Sequence, residues 1–107
     1  MKKTVKIYRA ANGSIPFEEW IENLKDVTGR ARIKVRIDRV IQGNYGDYGS
    51  LGAGIIELRV HHGPGYRVYA GLIDLNTVVL LCGGDKSSQE KDIARAYEYW
   101  NDFRGRP

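Results

Sequence analysis

Two arginines on either side of a predicted tight turn are the residues of this chain best suited to do chemistry. Arg59 and Arg67 flank a Gly-Pro-Gly turn at residues 63–65, and strands folded about that turn would make the two side chains neighbours. Like charges opposed across a hairpin repel, so the pair requires screening by water, an ion pair with an acid such as Glu57, or an anion between the arginines. A planar guanidinium donates two parallel hydrogen bonds to a phosphate. The pair therefore predicts a site for a phosphate-rich ligand, with RNA as the first candidate.

Residues around this pair could complete a site for RNA. Lys86 precedes the last predicted helix, whose N-terminus would attract anions. Glu57 is expected either to orient Arg59 or to act as a general base. Tyr69 is expected to share an exposed face with Arg67 and to stack on a base, with an ordinary cross-strand aromatic contact as the alternative. We expect further contacts with RNA from Tyr66, His61 and Arg36.

The overall charge and the rarer residues bound the function more loosely. The chain of 107 residues has a net charge of +4 at pH 7, which favours an acidic or polyanionic partner only weakly. Its single cysteine, Cys82, excludes an internal disulfide and fits a reducing cytoplasm. His61 and His62 lack an accompanying ligand set and no phosphate-loop motif occurs, so neither a metal nor a cofactor is predicted. No apolar run is long enough to span a membrane, so a cytoplasmic location is expected.

The hydrophobic pattern predicts one α+β domain over residues 1–107. Residues 44–54 contain four glycines and are predicted to form a loop. Helices on one face of hairpin-linked strands indicate a small antiparallel sheet with an N-terminal helical hairpin and a C-terminal helix, in the order β-α-α-β-β-β-α. The predicted elements are a strand at 2–8, a first helix after Ser14, a second helix at 29–42 capped by Thr28, strands at 55–62, 66–73 and 77–82, and a helix at 88–103.

Two of these predicted elements carry most of the polar chemistry. The strand at 55–62 is expected to bury Ile56, Leu58 and Val60 and to turn the intervening residues 57, 59 and 61 outward. The second helix has a strand-like alternation at 30–37, but its length favours a helix. Its basic residues are predicted to spread around a solvated face, with docking of an acidic protein or an RNA backbone as the alternative; they are Arg30, Arg32, Lys34, Arg36 and Arg39.

Two longer segments resemble a known family. The runs ELRVHHGPGYRVYAG at residues 57–71 and VVLLCGGDKSSQEKDIARA at residues 78–96 are similar to the RelE/ParE superfamily of bacterial toxins. The resemblance is greatest to the HigB-like branch of phage-derived addiction-module killer proteins and covers nearly the whole chain. It implies a small antiparallel sheet wrapped by an N-terminal helical hairpin, and a role as the toxin of a type II toxin–antitoxin module.

The resemblance also implies a target, partners and site residues. Many relatives are metal-independent endoribonucleases that cleave mRNA on the ribosome and inhibit translation and growth, and Arg59, Arg67 and Lys86 match basic residues of those members. The implied partner is an antitoxin, often of the helix-turn-helix type, through which alone the toxin would contact operator DNA. A non-enzymatic inhibitor of DNA gyrase or an inactive antitoxin-binding module is the alternative. Some relatives carry an active-site tyrosine where this chain has SSQEKDI, so the resemblance assigns no general base.

Overall fold

A computed structural model describes the whole chain, residues 1–107, as one mixed five-stranded sheet with three α helices. The α+β class predicted from the sequence is confirmed. No helix has the length and apolar content needed to cross a membrane. In chain order the elements are β1 (Thr4–Ile7), α1 (Pro16–Asn23), α2 (Val27–Ile41), β2 (Tyr48–Gly52), β3 (Ile55–Val60), β4 (Tyr66–Asp74), β5 (Thr77–Asp85), a 3-10 turn (Lys86–Ser88) and α3 (Gln89–Arg104).

The sheet contains one more strand than the sequence predicted, and it is not wholly antiparallel. The strands lie in the order β1-β5-β4-β3-β2, and β1 runs parallel to β5 while the other neighbours are antiparallel. The prediction of an antiparallel sheet was wrong because alternation marks a strand without marking its partner. The additional edge strand, β2, comes from the glycine-rich segment predicted to be a loop. Glycine weakens a strand in general. Position 49 nevertheless requires it, because a side chain there would collide with the guanidinium of Arg59.

Helices cover both faces of this sheet. On one face, α1 and α2 pack over a core that includes Ile33, Leu58 and Val68. On the other face, α3 packs over a second core that includes Tyr69 and Trp100. The prediction that helices lie on one face only is therefore corrected. A sheet buried on both faces loses the simple alternation of buried and exposed residues that one open face would produce.

The second helix confirms the helical interpretation of the ambiguous segment. It begins after Asp26, whose carboxylate accepts a hydrogen bond of 2.9 Å from the backbone N–H of Gly29, so Asp26 and not Thr28 is its N-cap. The same carboxylate accepts a hydrogen bond of 2.7 Å from the hydroxyl of Tyr66 in β4. A carboxylate is well placed at the positive end of a helix dipole. Asp26 therefore joins the start of α2 to the sheet.

The C-terminal helix holds the turn between β2 and β3. The indole N–H of Trp100 donates a hydrogen bond of 2.7 Å to the carbonyl of Ala53, a residue with a φ of 55°. The Trp100 ring also lies directly over Gly71 of β4, where no Cβ could fit. A left-handed conformation is unfavourable for alanine. The contacts from α3 thus fix this turn and with it the position of β2.

Candidate functional site

The two arginines lie directly opposite each other in the sheet. Arg59 of β3 pairs in register with Arg67 of β4, and Glu57 pairs with Tyr69 two residues away along the strands. The arginines are therefore neighbours, as the turn at 63–65 predicted. The local cause is the hairpin itself, because the length of its connection sets the register of the two strands.

A buried carboxylate joins the two arginines. Glu57 is 2% exposed, and its Oε1 accepts a hydrogen bond of 3.2 Å from Nε of Arg59. Its Oε2 accepts hydrogen bonds of 3.2 Å from the Tyr69 hydroxyl and 2.9 Å from Nε2 of Gln89 at the start of α3. The Nε of Arg67 lies 3.4 Å from the same oxygen, an ion-pair distance without the alignment of a hydrogen bond. Glu57 thus receives contacts from β3, β4 and α3.

This carboxylate corrects two predictions. Glu57 was expected to face solvent, but α3 covers that face of the sheet and buries it. Arg59 and Arg67 were expected to line an open pocket for an anion, but Glu57 already occupies the space beside the Nε atom of each. The ion pair that the sequence left open as the alternative is the arrangement present. A buried carboxylate surrounded by donors is suited to orienting guanidinium groups and poorly placed to receive a proton from a ligand in solvent.

Part of each arginine side chain nevertheless remains accessible to solvent. The side chain of Arg59 is 34% exposed and that of Arg67 is 12% exposed. Nη1 of Arg67 donates a hydrogen bond of 3.2 Å to the carbonyl of Gly65. The Nη2 atom of each arginine makes no hydrogen bond within the protein. Glu57 thus holds the inner edge of each arginine while part of each side chain stays accessible.

Lys86 extends the row formed by the two arginines. Arg67 pairs in register with Gly84 of β5, and Lys86 follows two residues later in the 3-10 turn. Its aliphatic stem passes over Gly65, where an added Cβ would lie 3.2–3.4 Å from the lysine carbons. Lys86 is exposed and makes no ion pair. Its ammonium group is thus free to meet an anion near the exposed edge of Arg67.

Asp47 is a member of this site that sequence reasoning missed. Its carboxylate accepts a hydrogen bond of 3.1 Å from Nη1 of Arg59 and is hydrogen-bonded to the ring of His61. These two hydrogen bonds lower the pKa of Asp47 below its ordinary value. Asp47 lies in the connection between α2 and β2, and no local pattern links that glycine-rich segment to β3. Only the pairing of β2 with β3 brings the carboxylate to Arg59.

The two tyrosines predicted to contact RNA are enclosed in the protein. Tyr69 is 0% exposed, and burial followed by its contacts with Glu57 raises the pKa of its hydroxyl well above the ordinary value. Tyr66 is 4% exposed, and burial followed by its hydrogen bond to Asp26 raises its pKa to about 12. A base can stack only on an accessible ring face. Both predictions are corrected, because α3 covers Tyr69 and the start of α2 holds Tyr66.

The predicted contact residues on either side of Asp47 have different surroundings. Arg36 is 7% exposed, which corrects the prediction that it contacts RNA. Its Nε donates a hydrogen bond of 3.3 Å to the carbonyl of Arg59, and its Nη2 donates one of 2.8 Å to the carbonyl of Asp47. Arg36 therefore fastens the segment that carries Asp47 to β3. The side chain of His61 is 75% exposed and remains accessible beside Asp47.

The fold and these contacts define the class of protein to which the chain belongs. The chain is a small α+β protein in which one buried glutamate bridges two opposed arginines at the end of a mixed sheet. No family model matches the chain. It is 47% identical over 83 residues to an uncharacterized protein of Haemophilus influenzae (strain ATCC 51907 / DSM 11121 / KW20 / Rd), a match that covers 78% of this chain and 84% of that protein. The chain belongs to the same family as that Haemophilus protein.

Proposed function

We propose that this protein is the toxin of a type II toxin–antitoxin module and that it cleaves mRNA on the ribosome in the cytoplasm. One observation carries the proposal: Arg59 and Arg67 are opposed in register and held at their inner edges by Glu57, with 34% and 12% of their side chains exposed to solvent. Guanidinium groups held in place before a ligand arrives stabilise developing negative charge without further reorganisation. The resemblance to RelE/ParE toxins supplies RNA as the polyanion.

The proposed mechanism uses the nucleophile that RNA itself carries. Arg59 and Arg67 bind the scissile phosphate and align it for attack by the neighbouring 2′-hydroxyl. Lys86 stabilises the leaving oxygen or gives it a proton. Glu57 orients the arginines. His61, which is exposed and hydrogen-bonded to Asp47, is the group of this site able to take the proton from the 2′-hydroxyl.

The test is to induce the protein without a partner and to map the ends of cellular transcripts. New 5′ ends within coding regions and arrest of growth are expected, and Arg67→Ala should abolish both. Lys34→Ala is the matched control, because Lys34 is an exposed cation on α2 outside the site. Retention of full cleavage and growth arrest by Arg67→Ala overturns the assignment, provided that its circular dichroism spectrum matches that of the parent. Purified protein incubated with mRNA, with and without ribosomes, then tests the dependence on ribosomes.

A second function is favoured by the burial of the acid–base groups. Glu57 and Tyr69 are both enclosed, so the accessible part of the site is mainly cationic and would suit binding without chemistry. A non-enzymatic inhibitor of DNA gyrase would halt replication and change DNA supercoiling while leaving transcripts intact. Measuring plasmid supercoiling in the same induced cells separates the two functions. A protein that alters neither transcripts nor supercoiling and does not slow growth is an inactive antitoxin-binding module.

The proposed function requires an antitoxin as its partner. We expect a small protein, of the helix-turn-helix type, that binds the toxin and carries it to operator DNA. Co-expression of the neighbouring reading frame should restore growth and yield a stable complex on gel filtration. Operator DNA should bind this complex and the antitoxin alone, and should not bind the toxin alone.

A further inference from the structure

A groove between α2 and the end of β3 adjoins the proposed site at Arg59 and contains three arginines of α2 that this site does not use. It has a volume of about 450 Å³, and we call it the arginine groove. Four arginines and one carboxylate, Asp47, are among its lining residues, so its charge is strongly positive. The prediction that the basic residues of α2 spread around the helix holds only in part. Arg30 and Lys34 lie outside this groove, whereas three others share its wall: Arg32, Arg36 and Arg39.

One of these arginines is buried and forms no ion pair. Arg36 is 7% exposed, yet no carboxylate lies within ion-pair distance of it, and its two hydrogen bonds go to backbone carbonyls. Its Nη1 is buried and has no partner at all. Desolvation by burial lowers the pKa of its guanidinium, while the charge of Asp47 acts in the opposite direction. Buried charges are normally paired, so the charge of Arg36 at the wall of the groove favours an anion in the groove.

The rest of the lining distinguishes between two kinds of anion. Ala31, Val35 and Val60 supply an apolar surface, and Val35 is 49% exposed on the same helix face as Arg32 and Arg39. No tyrosine, phenylalanine or tryptophan lines the groove. Single-stranded RNA is bound largely by stacking its bases on aromatic rings. An aliphatic side chain, in contrast, gains from burial against valine and alanine.

We infer that the arginine groove docks an acidic segment of a partner protein, with an aliphatic side chain of the segment on Val35 and its carboxylates on the exposed Arg32 and Arg39, beside the buried charge of Arg36. Arginine forms bidentate hydrogen bonds with carboxylates, which gives such docking orientation as well as affinity. The positive groove attracts an acidic chain before contact and selects against basic ones. Arg59 also lines the groove, so the docked segment lies beside Asp47 and competes with it for that arginine. The docking does not depend on whether the protein cleaves RNA.

The experiment uses the full chain and a synthetic peptide that contains two leucines. Glutamates lie between the leucines and on both sides of them. A second peptide with glutamine in place of every glutamate is the charge control. Binding is measured by fluorescence anisotropy at low salt, and backbone amide shifts of the ¹⁵N-labelled protein locate the peptide. The variants are Arg39→Glu in the groove and Lys34→Glu on an exposed part of α2 that does not line it. Both make the same change of charge, and both replace an exposed residue, so the fold should be retained.

We expect saturable binding of the acidic peptide that Arg39→Glu weakens about tenfold or more and Lys34→Glu weakens less than about threefold. The glutamine peptide should bind at least about tenfold more weakly, and shifts should cluster at Ala31, Val35 and Asn44. Absence of saturable binding up to about 1 mM peptide overturns the inference. An equal loss in the two variants also overturns it, because it shows diffuse attraction to the whole protein.

RNA is the competing occupant, and the same assay decides between them. A single-stranded oligouridylate that binds in the groove more tightly than the peptide, and whose binding is lost in Arg39→Glu but retained in Arg67→Ala, overturns the assignment to an acidic segment. An oligouridylate whose binding depends on Arg67 and not on Arg39 supports two separate sites. The proposed nuclease can therefore fail while the docking stands, and the reverse is equally possible.

Discussion

The hydroxyl of Tyr69 lies 3.2 Å from the carboxylate of Glu57, directly across the pair of strands β3 and β4. Arg59 and Arg67 lie beside this contact, and α3 covers it. It connects the interior of the sheet to the two arginines, because the same carboxylate is in contact with both. The arrangement of the proposed site therefore depends on a hydrogen bond between two residues that are closed to solvent.

Replacing Tyr69 by phenylalanine should weaken the fold modestly and the activity more. The ring keeps its packing, while Glu57 loses one of its donors. Loss of one hydrogen bond to a buried charged group should lower the free energy of unfolding by about 1.5–3 kcal/mol. We expect RNA cleavage to fall as the arginines become less well oriented. Urea denaturation measures the first effect and transcript mapping the second. An unfolding free energy equal to that of the parent would show that Glu57 does not need this donor.

Replacing Glu57 by glutamine should destabilise the protein more severely. Glutamine keeps the size of the side chain but removes the negative charge between Arg59 and Arg67. Arg59 keeps its ion pair with Asp47, whereas Arg67 is left without a carboxylate partner. Removing one partner of a buried ion pair costs about 3–5 kcal/mol. Phosphate added to the buffer should restore part of this loss, because an anion can take the place of the carboxylate between the guanidinium groups. Thermal unfolding at several phosphate concentrations provides the measurement.

The control for this variant is Glu90→Gln, which removes an exposed carboxylate at the start of α3. Glu90→Gln should unfold at nearly the parent temperature and gain no more from phosphate than the parent does. If phosphate stabilises the parent, Glu57→Gln and Glu90→Gln equally, the anion does not act between Arg59 and Arg67.

Replacing Asp47 by alanine should strengthen the binding of RNA. Asp47 holds Nη1 of Arg59 and the ring of His61, and its negative charge opposes that of phosphate. Without it we expect affinity for a single-stranded RNA to rise about threefold at low salt, with the gain shrinking as salt is added. Asp38→Ala, at an exposed position on α2, makes the same change of net charge away from the site. Equal gains in both variants would indicate a general effect of charge.

The loss of folding stability at acidic pH should depend on Asp26. Hydrogen bonds from the Gly29 N–H and then from the Tyr66 hydroxyl lower the pKa of Asp26 below its ordinary value of 3.8. Between the lowered pKa of Asp26 in the folded protein and its ordinary pKa in the unfolded chain, the unfolded chain binds more protons than the folded one. Stability is therefore lost as the pH falls below about 4. Asp26→Asn keeps a side-chain acceptor at the N-cap and removes the titrating group. Its stability should therefore fall less steeply between about pH 4 and pH 2, measured by urea denaturation. If the free energy of unfolding of Asp26→Asn falls with pH as steeply as that of the parent, other carboxylates cause the loss of stability in acid.

The main site residues could be predicted from the sequence only where local structure decides them. The Gly-Pro-Gly turn at 63–65 brought Arg59 opposite Arg67, and the short path from β5 to α3 placed Lys86 near their row. Asp47 and Gln89 carried no comparable signal. Asp47 reaches Arg59 across the additional strand β2, and Gln89 reaches Glu57 across 32 residues of sequence.

The sequence by itself determined the hairpin, the α+β class and the type of charge at the site, because turns and hydrophobic periods act over a few residues. The tertiary structure decided which face of the sheet is open. By laying α3 across the second face, it enclosed Glu57 and Tyr69 and converted a predicted open pocket into an ion pair with exposed outer edges. It also joined β1 to β5 and left Arg36 buried beside the arginine groove. Such outcomes depend on contacts between distant segments, whose geometry no local pattern specifies.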